Sequence, residues 1–198
     1  QLASTCNARI SSGDAGAAAG YLARQHRLRA PYYLKSARRS YEAGLRQHNG
    51  QDKSNSDPFI KQYEGINQVV GALDLAPDAP EIWLEAGKVT AALASLTPEE
   101  GAATDHALSF LARACSAEPS QLGELSSWLA TKDKKATKAE RAVRKRLWKA
   151  VKTWNETGRV PDLPVRALPS LAEGTCGRDR GTGAFRSAAG DGDGEVER

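Results

Sequence analysis

Apolar residues recur along this chain at helical spacing, in blocks punctuated by proline, glycine and polar turns. A helical stretch is expected from about Gly16 to Arg29. Pro31 should break it and open a second helix, with Leu34, Ala37, Tyr41 and Leu45 along one face. His48 to Ser56 is a polar loop, after which Asp57-Pro58 supplies an N-cap and a first-turn proline. The helix they open carries Phe59, Ile60, Tyr63, Ile66, Val69, Val70 and Leu73. Pro80 opens the next, with Ile82, Trp83, Ala86, Val89 and Leu93 turned inward. Thr97 and Glu100 have the spacing of a capping box, predicting a helix to about Cys115.

Ser120 is expected to cap a short helix containing Leu122, Leu125, Trp128 and Leu129. Thr137 and Glu140 form a second capping box, predicting a last helix to about Asn155 that Gly158 closes in a left-handed conformation. No segment reads as a strand. The pattern therefore predicts an all-α fold of about seven helices, neighbours pairing through short turns. A flexible lead-in (1–15) precedes a helical body (16–157). A Pro/Gly-rich tail (158–198) follows, nearly free of apolar residues after Gly174 and expected to be disordered.

Within the body, Ala107, Leu111, Ala114 and Pro119 follow Trp83 and Gly87 in a small, large, small, proline order. Small residues let two helices approach, the large one fills the gap, and proline ends the unit. Ala37, Tyr41 and Gly44 repeat the small-large-small steps, with Tyr21 as the leading aromatic. Gly65, Val69, Ala72 and Pro77 repeat the closing ones. This spacing, from Tyr21 to Pro119, resembles the tetratricopeptide repeat, and Leu75 to Gly87 is similar to the junction between successive repeats. The interval from Trp83 to Ala107 is longer than that of the standard repeat, so the resemblance is to a divergent member. Trp83-Leu84-Glu85-Ala86 also suits the half-a-tetratricopeptide variant of RNA-processing proteins. Either resemblance implies antiparallel helix pairs stacked as a short α-solenoid, an architecture that hosts many functions.

Composition changes this picture little. Apolar content is 40%, charged content 26% and net charge +4, ordinary values that by themselves imply no nucleic-acid partner. Cys6, Cys115 and Cys176 are odd in number and widely spaced, suggesting neither a disulfide framework nor a zinc site. They make a reducing, intracellular compartment, cytoplasmic or nuclear, the default. The chain opens at Gln1 and holds no methionine, so a natural start and any targeting peptide are expected upstream and the compartment stays open. No apolar run approaches the roughly 18 residues of a bilayer span.

Charge is organised in one place above all. With Val143 as reference and about 100° per residue, Ala136, Val143, Leu147, Ala150, Val151 and Trp154 share one face of the last helix. Lys138, Arg141, Lys145, Lys149 and Lys152 fall opposite, with Trp148 at their edge. Such a face can neutralise phosphates and stack on a base or a partner. The plainer alternative is a solvated face on a capping helix, with Trp148 packed on Trp128. A second basic cluster, Arg24, Arg27, Arg29, Lys35, Arg38 and Arg39, surrounds Tyr32 and Tyr33, and its plainer alternative is an exposed hairpin face with core tyrosines.

Catalytic signals are weaker. Gly87-Lys88-Val89-Thr90 lacks the leading glycine of a phosphate loop, since Ile82 stands there. His26, His48 and His106 are isolated, with His106 expected to form a surface pair with Asp105. Gly190 to Gly194 lacks the later glutamate of a calcium loop, and Glu99 and Glu100 are accounted for by capping. The expected function is a non-catalytic adaptor, without metal or cofactor, that offers a helical groove to a peptide or protein. The alternative is an RNA-associated repeat protein that contacts phosphate, or another polyanion, through Arg141, Lys145, Trp148, Lys149 and Lys152. Oligomeric state is not set by the pattern.

Overall fold

Six helices make up the computed structural model, which describes residues 15–51, 58–97, 101–131 and 136–163. They are α1 (Ala15–His48), α2 (Pro58–Leu75), α3 (Pro80–Ala94), α4 (Ala102–Ala117), α5 (Ser120–Ala130) and α6 (Lys138–Thr157). No strand occurs among the described residues, so the fold is all-α. The most extensive contacts are between the sequential pairs α1 with α2 and α3 with α4; α5 packs more lightly with α6, and α3 also touches α1, α2, α5 and α6. Helix α3 is consequently the centre of the core. Ile82, Trp83, Leu84, Ala86, Val89, Ala91 and Leu93 are all buried on it.

Small residues let these helices close up. A methyl group added at Gly87 would lie 2.5 Å from Leu111 Cδ2 and 3.2 Å from the Ala107 carbonyl oxygen, so only glycine admits α4 this closely. Gly65 of α2 receives Leu93 of α3 in the same way. Trp83, Ala107, Leu111 and Ala114 are buried together in the core, as the spacing predicts. Trp83 sets its ring edge-on to Phe110 at 5.6 Å, donates from Nε1 to the Pro77 carbonyl at 2.7 Å, and carries the Arg113 guanidinium over its face. Between α2 and α3, buried Gln62 donates to the Leu93 carbonyl at 3.1 Å and accepts from Thr97 Oγ1 at 2.6 Å, so both ends of its amide are satisfied.

The structure departs from the sequence pattern at three helix ends. Pro31 does not divide α1, which continues through it for 34 residues, and the expected seven helices become six among those described. Proline removes one helical hydrogen bond and crowds the carbonyl of Arg27, at a cost of about 3 kcal/mol. Ala30, Leu34 and Ala37 lie on one buried face spanning the proline, and keeping that face seated requires the helix to continue. Thr97 does not cap α4, which begins at Ala102 with Gly101 as its N-cap; the Thr97 hydroxyl donates to Gln62. The caps assigned to Asp57 and Glu100 lie outside the described residues. Ser120 is the first residue of α5 rather than its cap, and its hydroxyl donates to Glu118.

The C-terminal helix follows the pattern closely. Glu140 N–H donates to Thr137 Oγ1 at 3.1 Å while Thr137 N–H donates to Glu140 Oε2 at 2.7 Å, completing the box. Gly158 closes α6 at φ 62°, a conformation glycine adopts without a Cβ penalty. Beyond it, Val160 and Leu163 pack on the core, so the body extends past residue 157. The lead-in 1–14 and the rest of the tail, 164–198, lie outside the described residues.

Candidate functional site

Two surfaces gather the chemistry of the described residues. The first is the basic face of α6. Val143, Leu147, Val151 and Trp154 are buried and fix the helix by one side, leaving Lys138, Arg141, Lys145, Lys149 and Lys152 exposed on the other. At about 1.5 Å rise per residue, Arg141 to Lys152 spans roughly 17 Å. Trp148 keeps 40% of its surface exposed and is not sealed into the core. Among the described residues, Arg141, Lys145 and Lys149 have no carboxylate partner, whereas Lys152 stands 3.6 Å from Glu156. The flanking cations of the helix are committed to structure. Arg146 reaches Asp105 at 2.6 Å, and Arg144 lies over the Trp128 ring while donating to the carbonyls of Trp128 and Thr131.

The residues singled out by the sequence pattern thus share one exposed face. Lys132, Lys134 and Lys135, just upstream, lie outside the described residues. Asp105 is taken by Arg146, and the His106 ring stacks on Phe110 at 6.4 Å.

The second surface is a cleft that sequence reasoning did not find. Residues of α1 (Arg38, Tyr41, Glu42), α3 (Glu85, Lys88, Ala92), α5 (Trp128) and α6 (Glu140, Arg144) line a cavity of about 390 Å³. A chain of ion pairs runs along its floor. Arg38 of α1 meets Glu85 of α3, which also receives Lys88 at 2.8 Å, and Lys88 reaches Glu124 of α5 at 2.6 Å. The Lys88 side chain is only 10% exposed, so this charge is far better shielded than a surface lysine. A signal was available: Glu85 and Lys88 are charges three residues apart on a helix that is otherwise almost wholly apolar inside.

Other reactive groups stand away from both surfaces. Cys115 is buried, and desolvation pushes its thiol up to about 11, which suits packing and not nucleophilic chemistry. Hydrogen bonds from Ser120 and then Gln121 hold the Glu118 carboxyl below its ordinary range. Among the described residues no three His, Cys, Asp or Glu side chains converge on a metal position, and no helix is long and apolar enough to cross a membrane. Comparison with protein-family models, curated proteins and solved structures finds no match.

Proposed function

We propose that the chain is a non-catalytic binding scaffold, a divergent tetratricopeptide-like α-solenoid that receives a peptide or protein segment in the cleft between α1, α3, α5 and α6. The observation that carries this reading is the cleft itself, built by four helices from three sequential hairpins. In such a stack the first helix of each hairpin lines one side, and here α3 lies against both α1 and α5. The charges on the floor are already paired with one another, so an extended segment would gain mainly from Tyr41, Ala92 and Trp128 and from displaced water.

A displayed peptide library selected against the whole chain tests the proposal. Ala92 is half-buried at the cleft wall, and Ala92→Phe places a ring in the cavity without opening the core. Selected peptides should bind the Ala92→Phe variant at least about ten-fold more weakly, a loss of one well-filled contact. Peptides indifferent to Ala92→Phe would remove the cleft as the site.

A second reading rests on a different observation, Arg141, Lys145 and Lys149, without a carboxylate partner among the described residues, beside exposed Trp148. This face would contact a single-stranded RNA through its phosphates, with Trp148 stacking on a base. Three phosphate contacts give a salt slope of about −2, so affinity should fall about 20-fold between roughly 50 and 200 mM salt. Lys145→Glu with Lys149→Glu should weaken binding further, and Trp148→Ala should weaken it without changing the slope. Absence of binding at low salt would leave the face as a solvated cap.

A further inference from the structure

Neither surface above uses the outer face of α1. The buried positions Ala30, Leu34 and Ala37 define the seam that seats this helix. About 100° per residue puts Leu28 and Tyr32 roughly opposite that seam. They are not the margin of the core spilling outward: Leu28 is 58% exposed and Tyr32 73%. Tyr33, by contrast, turns its ring over Gly71 of α2, so the two neighbouring tyrosines part company. An apolar pair at the point of a helix farthest from its own core gains nothing from the fold.

The charges on α1 divide in the same manner. Arg27 and Arg38 face α3, where Glu81 and Glu85 take them. Arg24, Lys35 and Arg39 fall on the outer face with Leu28 and Tyr32 and have no carboxylate partner among the described residues. Seven Lys and Arg residues stand on α1 against one carboxylate, Glu42. The outer face is thus an apolar centre with cations a turn or two to either side, along about 22 Å of helix.

We propose that this face docks an acidic amphipathic helix of a partner protein. Apolar side chains on the partner, one turn apart, would cover Leu28 and Tyr32, and Asp or Glu residues flanking them would pair with Arg24, Lys35 and Arg39. A ridge of about four turns offers the contact that helix-on-helix packing requires. A nucleic acid would use the cations and Tyr32 but leave Leu28 wet. A bilayer surface requires an apolar face wider than two side chains. The proposal is independent of the cleft and of α6.

The probe is a fluorescein-labelled, hydrocarbon-stapled 18-residue helix with a leucine seam flanked by glutamates, titrated by fluorescence anisotropy against the whole chain at low salt. Binding should appear in the micromolar range and weaken at least about ten-fold in Leu28→Ser/Tyr32→Ser and again in Lys35→Glu/Arg39→Glu. A probe with glutamine for glutamate should bind at least as weakly. Helical circular dichroism and melting should be unchanged, because the substituted side chains are exposed. No binding at millimolar peptide would overturn the proposal. So would binding lost in Lys145→Glu/Lys149→Glu or Ala92→Phe but kept in Leu28→Ser/Tyr32→Ser, which would place the probe on α6 or in the cleft. Single-stranded oligonucleotide, phosphatidylserine vesicles or self-association that depended on Leu28 and Tyr32 while the peptide did not bind would assign the face to that occupant instead.

Discussion

Gly87→Ala is the sharpest test of the packing at the centre of the fold. In an open helix this change stabilises by about 0.5–1 kcal/mol, because alanine restricts the unfolded chain and favours the helix. Gly87 is not open. Its added methyl would stand 2.5 Å from Leu111 Cδ2 and 2.6 Å from Leu111 Cγ. Cγ is a branch point and not a free end, so the whole leucine must retreat by about 1 Å, and it is fully buried. Overpacking of this kind costs about 1–3 kcal/mol. Set against the helix gain, Gly87→Ala should destabilise by about 1 kcal/mol. Leu111→Ala alone should cost about 2–5 kcal/mol through lost burial and a cavity. In the double variant the new methyl enters space that Leu111 has left, so the two losses should fall short of their sum by at least about 1 kcal/mol. Urea unfolding followed by circular dichroism measures all four corners, with a common slope required for the comparison. Gly123→Ala on α5 is the control, since nothing lies within 4 Å of its added methyl, and it should stabilise. If Gly87→Ala stabilised as Gly123→Ala does, or if the two central substitutions were additive, α3 and α4 would not meet at Gly87 and Leu111.

Thr137→Ala removes the hydroxyl half of the α6 capping box and should cost about 0.5–2 kcal/mol in urea unfolding, with Thr137→Ser recovering most of it. Lys88→Ala should destabilise more than Arg27→Ala, because it strands Glu85 and Glu124 at a shielded site while the Arg27–Glu81 pair is open to water; equal effects would place Lys88 in solvent. Burial raises the Cys115 thiol, so the folded state keeps its proton after the unfolded chain has lost one. Stability from this group is complete below the ordinary thiol range and is lost as pH rises toward about 11. The melting temperature of Cys115→Ala should therefore fall less than that of the parent across this alkaline window.

Most of the helices were legible because each buries one stripe of a 3.6-residue period. The face of α6 could be drawn residue by residue: Val143, Leu147, Val151 and Trp154 inside, Arg141, Lys145 and Lys149 outside. The errors fall where a local rule met a tertiary contact. Pro31 is a helix breaker taken alone, yet the packed row Ala30, Leu34 and Ala37 carries α1 across it. Thr97 had the spacing of a cap, yet α4 begins only at Ala102, and the Thr97 hydroxyl donates to a buried glutamine thirty-five residues earlier, Gln62. The cleft escaped notice for a related reason. Its walls come from four helices spread along the chain from α1 to α6, and no single periodicity contains Arg38, Lys88, Trp128 and Arg144 together.

The sorting of charge is where fold and function separate. A cation required by the architecture finds a partner inside it: Arg27 with Glu81, Arg38 with Glu85, Lys88 with Glu85 and Glu124, Arg146 with Asp105, and Arg144 with the carbonyls that end α5. Beside other cations such as Arg29, Arg46, Lys138 and Arg159, two groups then stand out among the described residues. One is Arg24, Lys35 and Arg39 around Leu28 and Tyr32 on α1, the other Arg141, Lys145 and Lys149 around Trp148 on α6. In both, unpaired cations flank an exposed side chain that water solvates poorly. Simple solubility would be served by the charges without the rings. The pairing of cation with exposed aromatic is therefore what distinguishes these two faces from an ordinary solvated helix. Substitutions of Tyr32 and Trp148 test that distinction more directly than substitutions of lysine, since they change contact and leave net charge untouched.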